Sequence, residues 1–181
     1  VAPRNRFLGA LSRLFAPARP TPSAPARSPT GDPRAGNEIT GRNGASATTM
    51  VQPPGPGGLR IGYAPDPDGD PDAGEIVWTW VPYVENDGRG KDRPVLVIAR
   101  QDAARVFAVR LTSKAHEGDR DFLALGTGPW DARGRPSWVD VDQLYSVHAD
   151  GMRREASALD RARFDVVAAA LQRRYGWSLG G

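Results

Sequence analysis

The 181-residue chain contains no cysteine and only two histidines, His116 and His148. The first absence excludes disulfides, thiolate metal sites and cysteine nucleophiles. The second leaves too few imidazoles for a histidine-rich metal site. Lysine is equally scarce: Lys91 and Lys114 are the only two among 24 basic residues. With abundant Ala, Gly, Asp and Pro, that bias reflects a GC-rich bacterial gene rather than a physical demand. No apolar run approaches the roughly 20 residues of a membrane-spanning helix. The opening VAPRNRFLGALSRLFAPARP lacks the continuous apolar block of a secretory signal. A cytoplasmic protein with no membrane partner is the expectation.

Charge is unevenly spread. Residues 1–58 carry seven Arg against Asp32 and Glu38, whereas residues 59–181 carry seventeen basic and nineteen acidic groups. The basic balance belongs to the first third, so any polyanion site further on must be a local patch. Thirteen of the seventeen prolines also fall before residue 73. Such a stretch buries too little apolar surface to offset an ordering cost of roughly 1–2 kcal/mol per residue. Residues 1–72 therefore read as a disordered leader and acidic linker, with Met50 as an alternative first residue. Within it, Phe7, Leu8, Leu11, Leu14 and Phe15 fall at helical spacing over Asn5–Phe15, either a surface-binding helix or a frayed leader. The run from Asp66 to Asp72 has alternating acids but prolines between them, and Val77 stands where a calcium loop needs a bidentate Glu, so it reads as a stiff linker.

From Gly74 the texture changes. GEIVWTWV, PVLVIA and VFAVRL are β-type runs joined by polar segments, followed by shorter strand material at Phe122–Leu125, Ser137–Val141 and Leu144–Val147. Gly88 and Gly90 favour a hairpin between the first two runs. Short strands at this spacing predict a small closed barrel, with Trp78, Trp80 and Trp138 in its core. Phe164, Val167, Ala168, Leu171 and Tyr175 then recur at helical spacing, with Ser157 or Asp160 as cap, Arg173 and Arg174 near the end, and Gly176 as the stop. The fold class is thus mainly β with one helix, over residues 73–178.

Arg93 opens the second run, and Thr112 and Ser113 close the third. This order, GEIVW, then RPVLVI, then a strand ending in Thr-Ser, then VDVDQLYSV and the helix LDRARFDVVAAAL, resembles the PemK/MazF family of toxin endoribonucleases over about residues 73–175. The resemblance implies an SH3-like barrel (the CcdB/PemK type) with the helix packed on it. It further implies a homodimer that cleaves single-stranded RNA without metal or other cofactor and is inhibited by a cognate antitoxin. It carries over Arg93 and Thr112 as catalytic, with Ser113 a neighbouring hydroxyl. The long leader and the charged segment between Ser113 and Ser137 depart from the compact family pattern, which bears on RNA preference more than on chemistry.

Arg93 suits phosphate because its guanidinium is always charged and forks onto two oxygens. Thr112 can donate to the same oxygens or orient the attacking 2′-hydroxyl. No good base is evident; His116, four residues beyond Thr112, is a possible one, but it sits in a polar loop where a solvated histidine is ordinary. His148 is a weaker option still. Arg89, Lys91 and Lys114 are candidate RNA contacts, and Trp130 either stacks a base or caps the barrel. The bland alternatives are that Arg93 pairs with Asp92 or an acid on a neighbouring strand and that Thr112 and Ser113 merely close a strand. A rival function is a non-enzymatic toxin or binding module on the same barrel, either a degenerate regulatory member or a gyrase poison with Trp177 in its tail.

Overall fold

The computed structural model describes residues 40–180 apart from 67, 69 and 86. The apolar spacing at Asn5–Phe15 and the reading of residues 1–39 as leader lie outside the described residues. The strands are β1 (Thr49–Val51), β2 (Arg60–Ile61), β3 (Glu75–Pro82), β4 (Gly90–Arg100), β5 (Arg105–Thr112), β6 (Phe122–Gly126), β7 (Ser137–Asp140), β8 (Leu144–His148), β9 (Met152–Ala158) and β10 (Ser178–Leu179). Among the described residues one α-helix, α1, spans Arg161–Tyr175. The main sheet runs β1-β8-β5-β4-β3-β9, with β7 joining both β5 and β6. Its pairings are antiparallel, and among the described residues only the small β10–β2 pair is parallel.

The sheet curls into a half-barrel because its ladders slip. Register shifts fall between Ile76 and Trp78 against β9, between Val97 and Ala99 against β5, and between Ala124 and Gly126 against β7. Each extra residue bends its strand and adds twist. The expected barrel with its terminal helix is therefore present in open form, with β1 and β9 as separate edges.

Two apolar layers follow from strand alternation. Ile76, Leu96, Ile98, Val109 and Leu111 face Phe164, Val167, Ala168 and Leu171 of α1. Val77, Val95, Val97, Val106, Ala108, Tyr145 and Val147 form the layer on the opposite face of the sheet, with Met50 packed against them. The helix is capped as its sequence suggests: the Asp160 carboxylate accepts from the Arg163 N–H, and Gly176 takes the left-handed conformation at φ 70°. Asp160, not Ser157, is the cap. Trp78, Trp80 and Trp138 are only half-buried, against the expectation of a core position; arginine guanidinium groups, Arg153 over Trp78 and Arg42 over Trp80, lie across two of these rings.

Residues that composition alone assigns to the leader contribute to this architecture. β1 pairs with β8, and Leu59 and Ile61 are buried in the layer under α1. The Thr48 and Thr79 hydroxyls lie 2.7 Å apart, and Thr79 donates to the Gly151 carbonyl at 2.8 Å. Gly41 leaves room for this contact, since a Cβ there would collide with both the Gly151 carbonyl and the Thr79 hydroxyl. The β9 strand, MRREASA, also went unread in the sequence; it is a polar edge strand ordered by pairing with β3.

If the 59–61 segment belongs to the core, Ile61→Ala lowers the unfolding free energy by about 2–5 kcal/mol. Urea denaturation of the full chain measures it, and an unchanged midpoint would show that the segment contributes no core packing.

Candidate active site

A change of strand partner creates the cleft. The β4–β5 ladder runs from Arg100↔Val106 to Val95↔Arg110. Beyond it, Thr112 pairs with Trp138 of β7, while Arg93 pairs with Thr79 of β3. In an unbroken ladder Arg93 and Thr112 would be direct partners, two positions past Val95 and Arg110. Instead the two strand ends part, and a pocket of about 100 Å³ opens where they separate. Arg93, Thr112 and Ser113 all line it, together with Trp78, Lys91, Asp131 and Arg135.

Arg93 does not make the pairing that its neighbour in sequence would offer. Asp92 pairs with Arg153 instead, and among the described residues no carboxylate pairs with Arg93 or Lys91. The Arg93 Nε is buried without a hydrogen-bond partner. Burial pulls its guanidinium below the usual value, and the charge of Arg110 pulls the same way. The group still stays charged at any physiological pH, so the site holds an underused cation.

Behind it stands a second Arg whose charge is answered. Arg110 places both Nε and Nη2 2.7 Å from Oδ2 of Asp140, a carboxylate only 2% exposed. The other oxygen of Asp140 accepts from the Asp142 N–H at 2.9 Å and the Gln143 N–H at 3.3 Å. One carboxylate thus ties β5 to the turn between β7 and β8 and answers a cation whose charge acts on Arg93. Tyr145, fully buried, has no partner for its hydroxyl. Burial raises its ionisation above the ordinary phenol value, with Arg110 opposing.

Thr112 does close its strand as the bland reading holds, since its Oγ1 accepts from the Lys114 N–H at 3.2 Å. That bond leaves the hydroxyl proton free to donate into the cleft. His116 is not brought to the cleft: its ring stacks on Phe122 at 3.5 Å between centroids, and Nδ1 lies 3.4 Å from Asp119. His148 accepts from the Asp150 N–H at 3.1 Å and is likewise elsewhere. Of the proposed RNA contacts only Lys91 lines the pocket. Arg89 is paired with Asp87 at 2.7 Å, and Lys114 is exposed outside the lining. Trp130 offers no open face for a base: it is 4% exposed, and its Nε1 donates to Ser137 Oγ at 3.0 Å. Trp78, Asp131 and Arg135 were missed as cleft residues. The Trp read as core, and the other two stood in a loop without a periodic signal. Among the described residues no group of three or more His, Cys, Asp or Glu side chains could hold a metal ion.

The sequence profile of the PemK-like, MazF-like toxins of type II toxin–antitoxin systems matches residues 72–174. The chain belongs to this family. The profile spans β3 to the last turn of α1, so the PemK/MazF match contains both strand ends that frame the cleft. No curated protein matches the chain. Among solved structures, an endoribonuclease from a mycobacterial species is 20% identical, covering 60% of this chain and 93% of its own at a TM-score of 0.43. A mycobacterial endoribonuclease in complex with its cognate antitoxin is 21% identical, covering 57% and 92% at 0.43. MazE–MazF from Deinococcus radiodurans is 24% identical, covering 59% and 96% at 0.42. Family membership rests on the sequence match.

Removing the counter-charge should be costly. Asp140→Asn, which keeps the turn-capping oxygen, leaves Arg110 uncompensated and lowers stability by about 3–5 kcal/mol. A further Arg110→Met in that background should recover part of the loss in the same denaturation assay. A single Asp140→Asn change without effect would contradict this reading of the pair.

Proposed function

We propose that this PemK/MazF-family chain is the toxin of a type II pair and an endoribonuclease that cleaves single-stranded RNA. The 2′-hydroxyl attacks the adjacent phosphorus, the P–O5′ bond breaks, and the products are a 2′,3′-cyclic phosphate and a 5′-hydroxyl. RNA supplies its own nucleophile in this reaction, so the protein needs neither a metal nor a cofactor to generate one. The observation that carries the proposal is the meeting of Arg93 and Thr112 at one open cleft.

The roles follow from chemistry. Arg93, short of partners, is set to hold the non-bridging oxygens as charge builds on them. Thr112 donates to one of those oxygens or orients the attacking hydroxyl, and Ser113 offers a second donor at the rim. Lys91 adds local positive charge for an adjoining phosphate. The two carboxylates at the cleft, Asp92 and Asp131, are each paired with an arginine. Neither is a free base or acid, so the proton of the 2′-hydroxyl leaves to solvent and the departing 5′-oxygen takes one from solvent. Turnover is therefore slow, and its rate should climb with pH through neutrality without a histidine inflection.

A cytoplasmic homodimer held inactive by an antitoxin completes the proposal, on the strength of the family match alone. Sedimentation as a monomer at micromolar concentration would remove the dimer from it. The gyrase-poison alternative loses the residue that suggested it. Trp177 is 1% exposed, stacks on Tyr175 and donates from Nε1 to the Pro54 carbonyl at 2.8 Å, so it is core and not tail.

Incubation with mixed RNA in EDTA tests the reading. Discrete cuts bearing 5′-hydroxyl ends are expected. Arg93→Ala should slow them by roughly 10²–10³-fold, the range for losing one preorganised charge-stabilising donor, and His116→Ala should leave the rate unchanged. A folded protein that makes no cuts would instead favour a degenerate regulatory member.

A further inference from the structure

The loop between β6 and β7 forms one wall of the cleft, and it is held far more firmly than its Gly- and Pro-rich sequence suggests. Trp130 anchors it beneath the surface through Ser137. Asp131 then organises the turn. Its Oδ1 accepts from the Arg133 N–H at 2.8 Å, its Oδ2 accepts from Arg135 Nε at 2.9 Å, and its backbone carbonyl accepts from the Gly134 N–H at 2.8 Å. Burial works to raise the Asp131 carboxyl, but the bonds from Arg133 and Arg135 outweigh it and hold the group below its usual range. It is a fixed anion with a 9% exposed side chain, whereas its partner Arg135 is 49% exposed at the cleft rim.

An exposed ion pair contributes little to stability, and this loop already has its anchor in Trp130. What the pair does achieve is orientation. Nε is engaged by Asp131 at 2.9 Å, which restricts the swing of the guanidinium and leaves Nη1 and Nη2 for other partners. Among the described residues nothing accepts a hydrogen bond from those two nitrogens. Arg135 therefore offers two further donors to the cleft that Arg93 and Thr112 also line, with part of the entropic cost of ordering the side chain already met within the loop.

The geometry points to Arg135 as a specificity-determining residue that reads the base edge of a guanine flanking the scissile phosphate. This assignment rests on the proposed RNA cleavage for the identity of the ligand. A guanine edge presents O6 and N7 as adjacent acceptors, the pattern an arginine fork matches best. A phosphate is the poorer fit because Asp131 cancels the charge of Arg135 and would repel a second anion, while Lys91 and Arg93 already supply unpaired charge. Directional donors survive that cancellation. Trp130 takes part only by fixing the loop.

The test is binding of uncleavable RNA, which separates this inference from the cleavage reading. The probes are 2′-O-methyl hexauridylates, each with a single guanine at a different position, titrated against the full chain by fluorescence anisotropy. One register should bind about tenfold tighter than the all-uridine probe, within the range of a single bidentate contact. The gain should vanish when 7-deazaguanine, which lacks N7, replaces guanine there, and also in Arg135→Ala and Arg135→Lys. Both variants should bind the all-uridine probe within about threefold of the wild type. No preferred register, or a preference that survives Arg135→Ala, overturns the inference. An equal loss on every probe, all-uridine included, does so as well, by assigning Arg135 to phosphate. If the matching 2′-hydroxyl hexamer binds in register but is never cut, the nuclease reading fails while the base contact stands.

Discussion

On one edge β5 is bound by β8 over Arg105–Ala108 and by β7 over Leu111–Thr112, while on the other its ladder with β4 ends at Arg110. A strand cannot follow both sheets without leaving one of them. β5 leaves β4 at the position where Arg93 and Thr112 would have met, and the backbone groups freed there border a cleft rather than a ladder. The rest of the site depends on this divergence. It puts a cation at one lip and a hydroxyl at the other, and it gives the β6–β7 loop a rim to occupy.

Charge is then distributed so that a few groups remain available. Asp140 answers Arg110, Arg153 answers Asp92, and Asp131 answers Arg135. Arg93 and Lys91 are left without carboxylate partners among the described residues. Partial burial lowers the dielectric around Arg93, which strengthens whatever anion it meets, and a preorganised charge needs no rearrangement when the transition state forms. The same burial would be a liability if Arg110 were also unanswered, because two neighbouring cations would repel each other. The Arg110–Asp140 pair is thus as much a condition of the cleft as Arg93 itself.

How far these features could be read in the chain depends on how local each one is. β3, β5, β6, β8 and α1 announce themselves through period and composition, and their bounds fall within about two residues of the expected ones. β1, β2 and β9 do not, because two or three residues between prolines, or a polar edge strand, become ordered only through a partner distant in sequence. Leu59 and Ile61 illustrate it: flanked by PPGPGG and YAPDPD, they read as linker, yet the helix and Trp177 close over them. At the site, the sequence places Thr112 at the end of its strand, as observed, but it starts the second strand at Arg93, whereas β4 begins at Gly90 and Arg93 lies inside it. What brings the two residues to one cleft is the parting of β4 from β5, which no local pattern signals. Arg135 was not legible, since its place at the cleft rim and its bond to Asp131 exist only once the loop is folded. His116 shows the opposite error, being near Thr112 in sequence while its ring is committed to Phe122.

The central claim is that Arg93 and Thr112 act on one phosphate. A double-mutant cycle on the single-turnover cleavage rate measures this directly, using Arg93→Ala, Thr112→Val and the pair together. Residues that serve one transition state are strongly non-additive, so the double variant should be slower than the worse single variant by no more than about threefold. Losses that multiply in full would mean that the two groups work independently, and the shared site would not stand.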